Sequence, residues 1–256
     1  KEKANMNTPR VTIITAVLNG EKHIEETIES VINQDYKNFE YIIIDGGSTD
    51  NTVNIIKKYE KYIQYWVSEK DDGISDAFNK GVKASSGKYI NFQGDGDRLY
   101  SEKTLSKLFN ENGLSESMLI SGRIERVSED GKALFLSKFI KKFNKKSLIF
   151  KLSIPHQGLF THKSFYEKYG LFDLDNIFCM DYEILLRAYH DFPLVVTKNI
   201  VVSKWRDDGV GNGRTLEIFE EYNHIKIKNK IIHPYFLVLV RSWILFKHRT
   251  KKILGI

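Results

Sequence analysis

Cysteine occurs once, as Cys179. A single thiol excludes an internal disulfide framework and any zinc site built on cysteines, and it suits a reducing compartment. Proline is scarce, with 4 residues in 256, and neither a low-complexity linker nor an internal repeat divides the chain. Long apolar runs are missing as well. Residues 234–240 come nearest to one, and Arg241 interrupts it, so no membrane span is expected. Residues 1–10 hold no apolar run, so no signal peptide is expected. No strand is followed by G-x-G-x-x-G or a Walker pattern, which argues against a dinucleotide fold or a P-loop. The net charge of +6 is modest, and without a nucleic-acid motif it predicts no nucleic-acid partner.

What is present is core material. Hydrophobic residues make up 41% and aromatics 12% of the chain, ample for a folded domain. Residues 11–17 (Val-Thr-Ile-Ile-Thr-Ala-Val) and 39–45 (Phe-Glu-Tyr-Ile-Ile-Ile-Asp) read as nearly continuous apolar strands, the mark of a parallel sheet covered on both faces. Residues 65–67 and the run from Tyr89 to Phe92 supply two more strands. Between them, Ile24, Ile28, Val31 and Ile32, then Val53, Ile55, Ile56 and Tyr59, then Ile74, Ala77, Phe78 and Val82 recur at helical spacing. The first hundred residues therefore predict βαβαβαβ, a doubly wound parallel sheet. All four strand ends carry Asp- or Asn-rich loops: 15–20, 45–50, 69–73 and 94–97. In such sheets ligands bind beyond the carboxyl ends of the strands. The last loop, Gly94-Asp95-Gly96-Asp97, places two carboxylates two residues apart. Alone it is either a solvated turn or a site for a divalent cation, which in turn suits a diphosphate.

The second half reads less regularly. Strands are expected at 118–120, 123–127, 159–161, 194–196 and 200–202, with a turn at Glu129-Asp130-Gly131 and helices at 163–169 and 181–189. From the residues alone Asp181 is a helix N-cap, His156 is either structural or functional, and Cys179 is a small core residue. The stretch 205–211 is either a lid, with Trp205 or Arg206 touching ligand, or a plain surface loop.

Together these features resemble the inverting family-2 glycosyltransferases with the GT-A fold. The similarity runs from Val11 to Val202. It is carried by residues 11–15, the loop Asp45-Gly46-Gly47-Ser48-Thr49-Asp50, the stretch Asp72-Gly73-Ile74-Ser75-Asp76-Ala77-Phe78-Asn79-Lys80-Gly81 and the acidic strand end. The resemblance implies an α/β GT-A domain with one Rossmann-like, mainly parallel sheet, an irregular acceptor-binding half and C-terminal helices. It implies that Thr15 and Asn19 line the uridine end of a UDP-sugar, that Asp45 accepts from base or ribose, and that Asp72 meets the base. Asp97, with Asp95 second, would hold Mn²⁺ or Mg²⁺. The Asp95-Gly96-Asp97 spacing departs from a simple Asp-Asp pair, so either carboxylate could be the main ligand. Asp181 would be the general base for an acceptor hydroxyl, and His156-Gln157 would face the acceptor or the metal.

The resulting division is a tail at 1–10, a nucleotide-sugar half at 11–100, an acceptor-binding and catalytic half at 101–232, and a basic amphipathic segment at 233–256. In that last segment Tyr235, Phe236, Trp243 and Phe246 mix with Arg241, Lys247, Arg249, Lys251 and Lys252. Such a mixture suits the membrane interface, or else packing on the domain or an oligomer contact. The expected partners are a nucleotide-sugar donor and a saccharide or lipid-linked saccharide acceptor in surface polysaccharide or lipopolysaccharide synthesis. The expected location is cytoplasmic, peripheral on the inner face of the cell membrane. The alternatives are a sugar-1-phosphate nucleotidyltransferase and a non-catalytic nucleotide-sugar-binding protein.

Overall fold

A computed structural model describes residues 10–110, 118–207, 209, 211 and 213–233. The basic segment assigned to 233–256 lies outside the described residues except for His233.

The first half follows the predicted order. Strand β1 (Val11–Val17), helix α1 (Ile24–Ile32), β2 (Phe39–Asp45), α2 (Thr52–Lys58), β3 (Tyr65–Ser68), α3 (Ile74–Ala84) and β4 (Tyr89–Gly94) alternate along the chain. β1 pairs in parallel with β2 on one side and β4 on the other, and β2 pairs in parallel with β3. All seven residues of β1 are buried. Its side chains alternate between two cores: Ile14 packs with Ala77, Phe78 and Val82 of α3, while Ile13 and Val17 pack with Ile24, Ile28 and Val31 of α1. Burial on both faces is why this strand reads as an unbroken apolar run.

The second half extends the same sheet. It contains β5 (Arg98–Leu99), α4 (Thr104–Phe109), β6 (Leu119–Val127), β7 (Ala133–Leu136), β8 (Leu159–His162), α5 (Lys163–Tyr169), α6 (Met180–Arg187), β9 (Val195–Arg206) and α7 (Thr215–Lys228). The strand order is β3-β2-β1-β4-β8-β6-β9-β5, with β7 paired to β6. β8 is antiparallel to both β4 and β6, and β9 is parallel to β6. The carboxyl ends of β6 and β9 thus return to the edge already occupied by those of β1 to β4.

Two expectations change. The short strands read at 118–120 and 123–127 are one strand, β6, and those at 194–196 and 200–202 are one strand, β9. The register explains the apparent breaks. Ser121 faces Thr197 and Arg123 faces Val201, so Gly122 alone opposes residues 198–200, a bulge that the ladder spans. A methyl group at Gly122 would lie 2.4 Å from Val202 Cγ2, so only glycine lets the strands approach. β9 also continues through Trp205 and Arg206, which were read as the start of a loop.

One buried carboxylate locks the start of the sheet. Glu40 accepts from Thr12 Oγ1 (2.6 Å), Ser86 N (2.5 Å), Ser86 Oγ (2.6 Å) and Gly87 N (2.9 Å). It joins β1, β2 and the turn before β4. A Glu40→Ala chain leaves the Ser86 amide and the Thr12 and Ser86 hydroxyls without their carboxylate acceptor, so its unfolding free energy should fall by on the order of 3 kcal/mol. Urea denaturation checks this; a midpoint equal to wild type contradicts it.

Candidate functional site

The sheet edge gathers the predicted loops into one region. Asp45, at the end of β2, is fully buried. Its oxygens accept from Gly47 N (3.2 Å), Ser48 N (3.0 Å), Ser48 Oγ and Ser68 Oγ (2.6 Å). Three donors on Oδ2 and one on Oδ1 hold the carboxylate, so Asp45 shapes the loop and joins it to β3. Asn19 adopts a left-handed backbone (φ 54). Its amide donates to Ser48 Oγ (2.7 Å), and its side-chain oxygen accepts from Thr49 N (2.9 Å). The loops after β1 and β2 are therefore stitched into one surface.

Thr15 is not on that surface. It is fully buried, and its hydroxyl meets Tyr41 OH at 3.0 Å. Asp72 is exposed, and its amide donates to Asp76 Oδ2 at 3.3 Å. The neighbouring Asp71 is the one that turns inward: a methyl group at Gly46 would lie 2.7 Å from Asp71 Oδ2. Asp71 also accepts from Gly73 N (3.0 Å), which fixes the turn into α3. The motif read from Asp72 onward hid this residue.

Asp97 is buried and sits where the two halves meet. Oδ2 accepts from Gly94 N (3.0 Å) and Oδ1 from Arg206 N (3.1 Å), the last residue of β9. Burial pushes its carboxyl up to about 7, against the lowering effect of those amides and the Gln157 side chain; the nearby Asp95 charge adds to the rise. Asp95 is half-buried and packs on the loop after β1, since a methyl group at Gly20 would lie 2.6 Å from Asp95 Oδ2. Gly96 has φ +82, and a side chain there would strike Arg206 Cδ at 2.5 Å. Glycine is required on both counts.

Asp181 lies in the first turn of α6. It is not the cap. The residue before the helix is Cys179, and the amides of Phe178 and Cys179 donate instead to Glu221 of α7, at 2.9 to 3.2 Å. Asp181 Oδ1 accepts from Tyr182 N (2.7 Å), and burial pushes its carboxyl up to about 6. Its side chain helps line a cavity of about 10 Å³ with His156, Thr161, Tyr166 and Phe172, roughly the space of one water. Cys179 is buried, with Sγ 3.8 Å from Ile218 O.

The turn His156–Gly158 connects the two carboxylates. Gln157 bonds the Asp97 side chain, and the Gln157 carbonyl accepts from Asn91 Nδ2 (3.1 Å) and Gln93 Nε2 (3.0 Å). His156 is stacked on Phe92 at 5.2 Å and lies 5.5 Å from Phe78. Burial pushes its pKa down to about 4, and Nε2 has no hydrogen-bond partner. Asn91 and Gln93 of β4 orient the turn. Polar side chains in an otherwise apolar strand were the available signal.

Among the described residues no three His, Cys, Asp or Glu side chains form a cation cage. The donor set still fits Mg²⁺ or Mn²⁺ delivered with a diphosphate, because such ions take one or two carboxylates and fill the rest with phosphate oxygens and water. A buried carboxyl whose ionised form is disfavoured gains most from an adjacent cation.

The profile of Glycosyl transferase family 2 matches residues 12–175. The chain belongs to that family. It is a glycosyltransferase with the GT-A fold, its sheet parallel from β1 to β4 and mixed beyond β4. A PGL/p-HBAD biosynthesis glycosyltransferase of Mycobacterium bovis is 27% identical over 246 residues, covering 93% of this chain and 92% of that protein. An uncharacterized glycosyltransferase of Mycobacterium tuberculosis is 31% identical over 215 residues, covering 81% and 79%. Among solved structures, Staphylococcus aureus TarS 1-349 in complex with UDP-GlcNAc superposes with a TM-score of 0.70 at 18% identity, covering 85% of this chain and 66% of that one. The mannosyltransferase PcManGT of Pyrobaculum calidifontis, in complex with GDP-Man and Mn²⁺, gives 0.63 at 17%, covering 86% and 65%.

The positions of Asp71 and Asp72 separate two outcomes. Asp71→Ala should weaken UDP binding about tenfold or more, the scale of a lost hydrogen bond to a charged group, while Asp72→Ala leaves it unchanged. Calorimetric titration with UDP checks this, and the reverse ranking contradicts it.

Proposed function

We propose that this enzyme transfers a sugar from a UDP-sugar to a hydroxyl of a lipid-linked saccharide acceptor, with inversion at the anomeric carbon.

 The observation that carries this reading is the placement of two carboxyls, the buried Asp97 and the half-buried Asp181, on either side of the turn His156–Gly158. Donor binding is assigned to residues 11–100 and acceptor binding to 101–232. The UDP complex of TarS and the Mn²⁺ complex of PcManGT support the donor class and the metal. The relatives named for PGL/p-HBAD biosynthesis support an acceptor that ends up in a cell-surface glycoconjugate, as in polysaccharide or lipopolysaccharide assembly. A cytoplasmic position fits the single reduced cysteine, and no helix among the described residues is long and apolar enough to cross a membrane.

The residues divide the work. The loops after β1, β2 and β3 hold the nucleoside, with Asn19 and Asp71 at the surface and Asp45 keeping the loop in shape. Asp97 and Asp95 hold the cation, which when bound neutralises the charge that develops on the departing diphosphate. Arg206 lies over the same turn, and its positive charge faces the same group. Asp181 takes the proton from the acceptor hydroxyl as that oxygen attacks the anomeric carbon and UDP departs. A carboxyl raised to about 6 is a better proton acceptor than an ordinary aspartate and remains ionised at neutral pH.

Transfer from a panel of UDP-sugars, with and without Mn²⁺, tests the reading. Asp97→Ala should abolish transfer and remove the Mn²⁺-dependent part of UDP binding; full activity in EDTA contradicts this. Asp181→Asn should lower kcat by about a hundredfold or more with little change in UDP affinity. A base must be ionised, so kcat/KM in the wild-type enzyme should fall as pH drops through about 6. A flat profile across that range removes Asp181 from the role.

A further inference from the structure

Residues 133–151 carry six lysines, at 138, 141, 142, 145, 146 and 151, and no acidic side chain. Their charge equals the net +6 of the whole chain, so the remaining residues balance to zero. The same stretch is unusually apolar for a surface. Phe150 is 82% exposed, Phe135 54% and Leu134 53%, and Leu136, Phe139 and Ile140 are exposed beside them. Scattered exposed apolar side chains are ordinary, but six within the seventeen residues 134–150 are dense for a surface and call for a partner. Below this ledge an open groove of about 680 Å³ is lined by Lys141, Lys142, Phe143, Lys145, Phe192 and Leu194.

We propose that this ledge docks on the anionic surface of a lipid bilayer, with the phenylalanine and leucine side chains entering the interface and the lysines meeting the headgroups. Charge selects the occupant. A second copy of the chain would set lysines against lysines. Residues 234–256 are themselves basic, with Arg241, Lys247, Arg249, Lys251 and Lys252, and offer the ledge lysines no opposite charge. Anionic lipid complements both the charge and the apolar side chains.

The ledge is anchored to the rest of the molecule at both ends. β7 pairs with the end of β6, where Val127 faces Arg206 and Arg206 N bonds Asp97. At the other end, buried Leu148 accepts through its carbonyl from Tyr182 OH at 2.5 Å, one residue from Asp181. Lys145 Nζ donates to Tyr189 O (2.9 Å) beyond the end of α6. A bilayer on this face would therefore lie beside the acceptor-binding half, where an acceptor carried on a lipid arrives.

The full chain is sedimented with vesicles of phosphatidylcholine containing phosphatidylglycerol, and with phosphatidylcholine alone. Binding is expected only to the anionic vesicles and should weaken as salt rises. Lys138→Glu/Lys141→Glu/Lys142→Glu should weaken it by at least about tenfold. Phe135→Ser/Phe150→Ser, changing exposed side chains only, should remove the salt-resistant remainder. Circular dichroism checks that each variant is folded, and the two sets act through different chemistry, so each is read separately. The proposal is overturned if the anionic vesicles are ignored at low salt. It is overturned if both ledge variants bind as wild type while Arg241→Glu/Lys247→Glu/Arg249→Glu does not, or if light scattering shows a dimer that Phe135→Ser/Phe150→Ser dissociates without any vesicle binding. No sugar nucleotide is present in this assay, so its failure leaves the transfer reaction standing, and failure of the transfer assay leaves the ledge standing.

Discussion

The carboxylate of Asp97 holds the candidate site together. One oxygen accepts the amide of Gly94 at the end of β4, and the other accepts the amide of Arg206 at the end of β9. These strands come from opposite halves of the chain and are not neighbours in the sheet. The bond pair closes the edge of the sheet and lays Arg206 over Gly96. The cost is a desolvated carboxyl, pushed up to about 7. Burying an ionisable group is unfavourable unless something offsets it. Two backbone donors offset part of the cost, and a cation held with a diphosphate would offset the rest.

The polar layer behind Asp97 explains how two distant carboxylates share one frame. Asn91 and Gln93 point from β4 to the carbonyl of Gln157, and Gln93 Oε1 accepts from Ser203 Oγ of β9 at 2.7 Å. These buried bonds fix the turn that carries Gln157 toward Asp97 and His156 toward the cavity of Asp181. Buried polar networks of this kind specify a single geometry when every member is satisfied. His156, whose Nε2 has no hydrogen-bond partner, lines the same cavity as Asp181.

The parallel half of the fold was legible because burial on both faces writes itself as an unbroken apolar run, visible in residues 11–17 and 39–45. β6 and β9 were read in pieces because Gly122 and residues 198–200 interrupt the alternation where the ladder bulges. The loops were legible as loops, and their acidic residues as candidates. Which side chain turns inward was not. Thr15 lies on a strand whose odd positions face α1, and Asp71 rather than Asp72 reaches Gly46 because the chain turns at Gly73, with φ +100. Glu221 holds the chain just before α6 through the amides of Phe178 and Cys179, more than forty positions away, a tertiary contact that local spacing does not encode.

The central claim is that the loops at the carboxyl ends of β1 to β4, closed by Asp97 and Arg206, receive the nucleotide sugar and its cation. Amide hydrogen exchange with UDP and Mn²⁺ measures this directly. Protection is expected at residues 18–20, 46–52, 69–73 and 94–98 and at the end of β9, with residues 133–151 exchanging as in the free protein. Unchanged exchange at those loops, or protection confined to another face, would contradict the account.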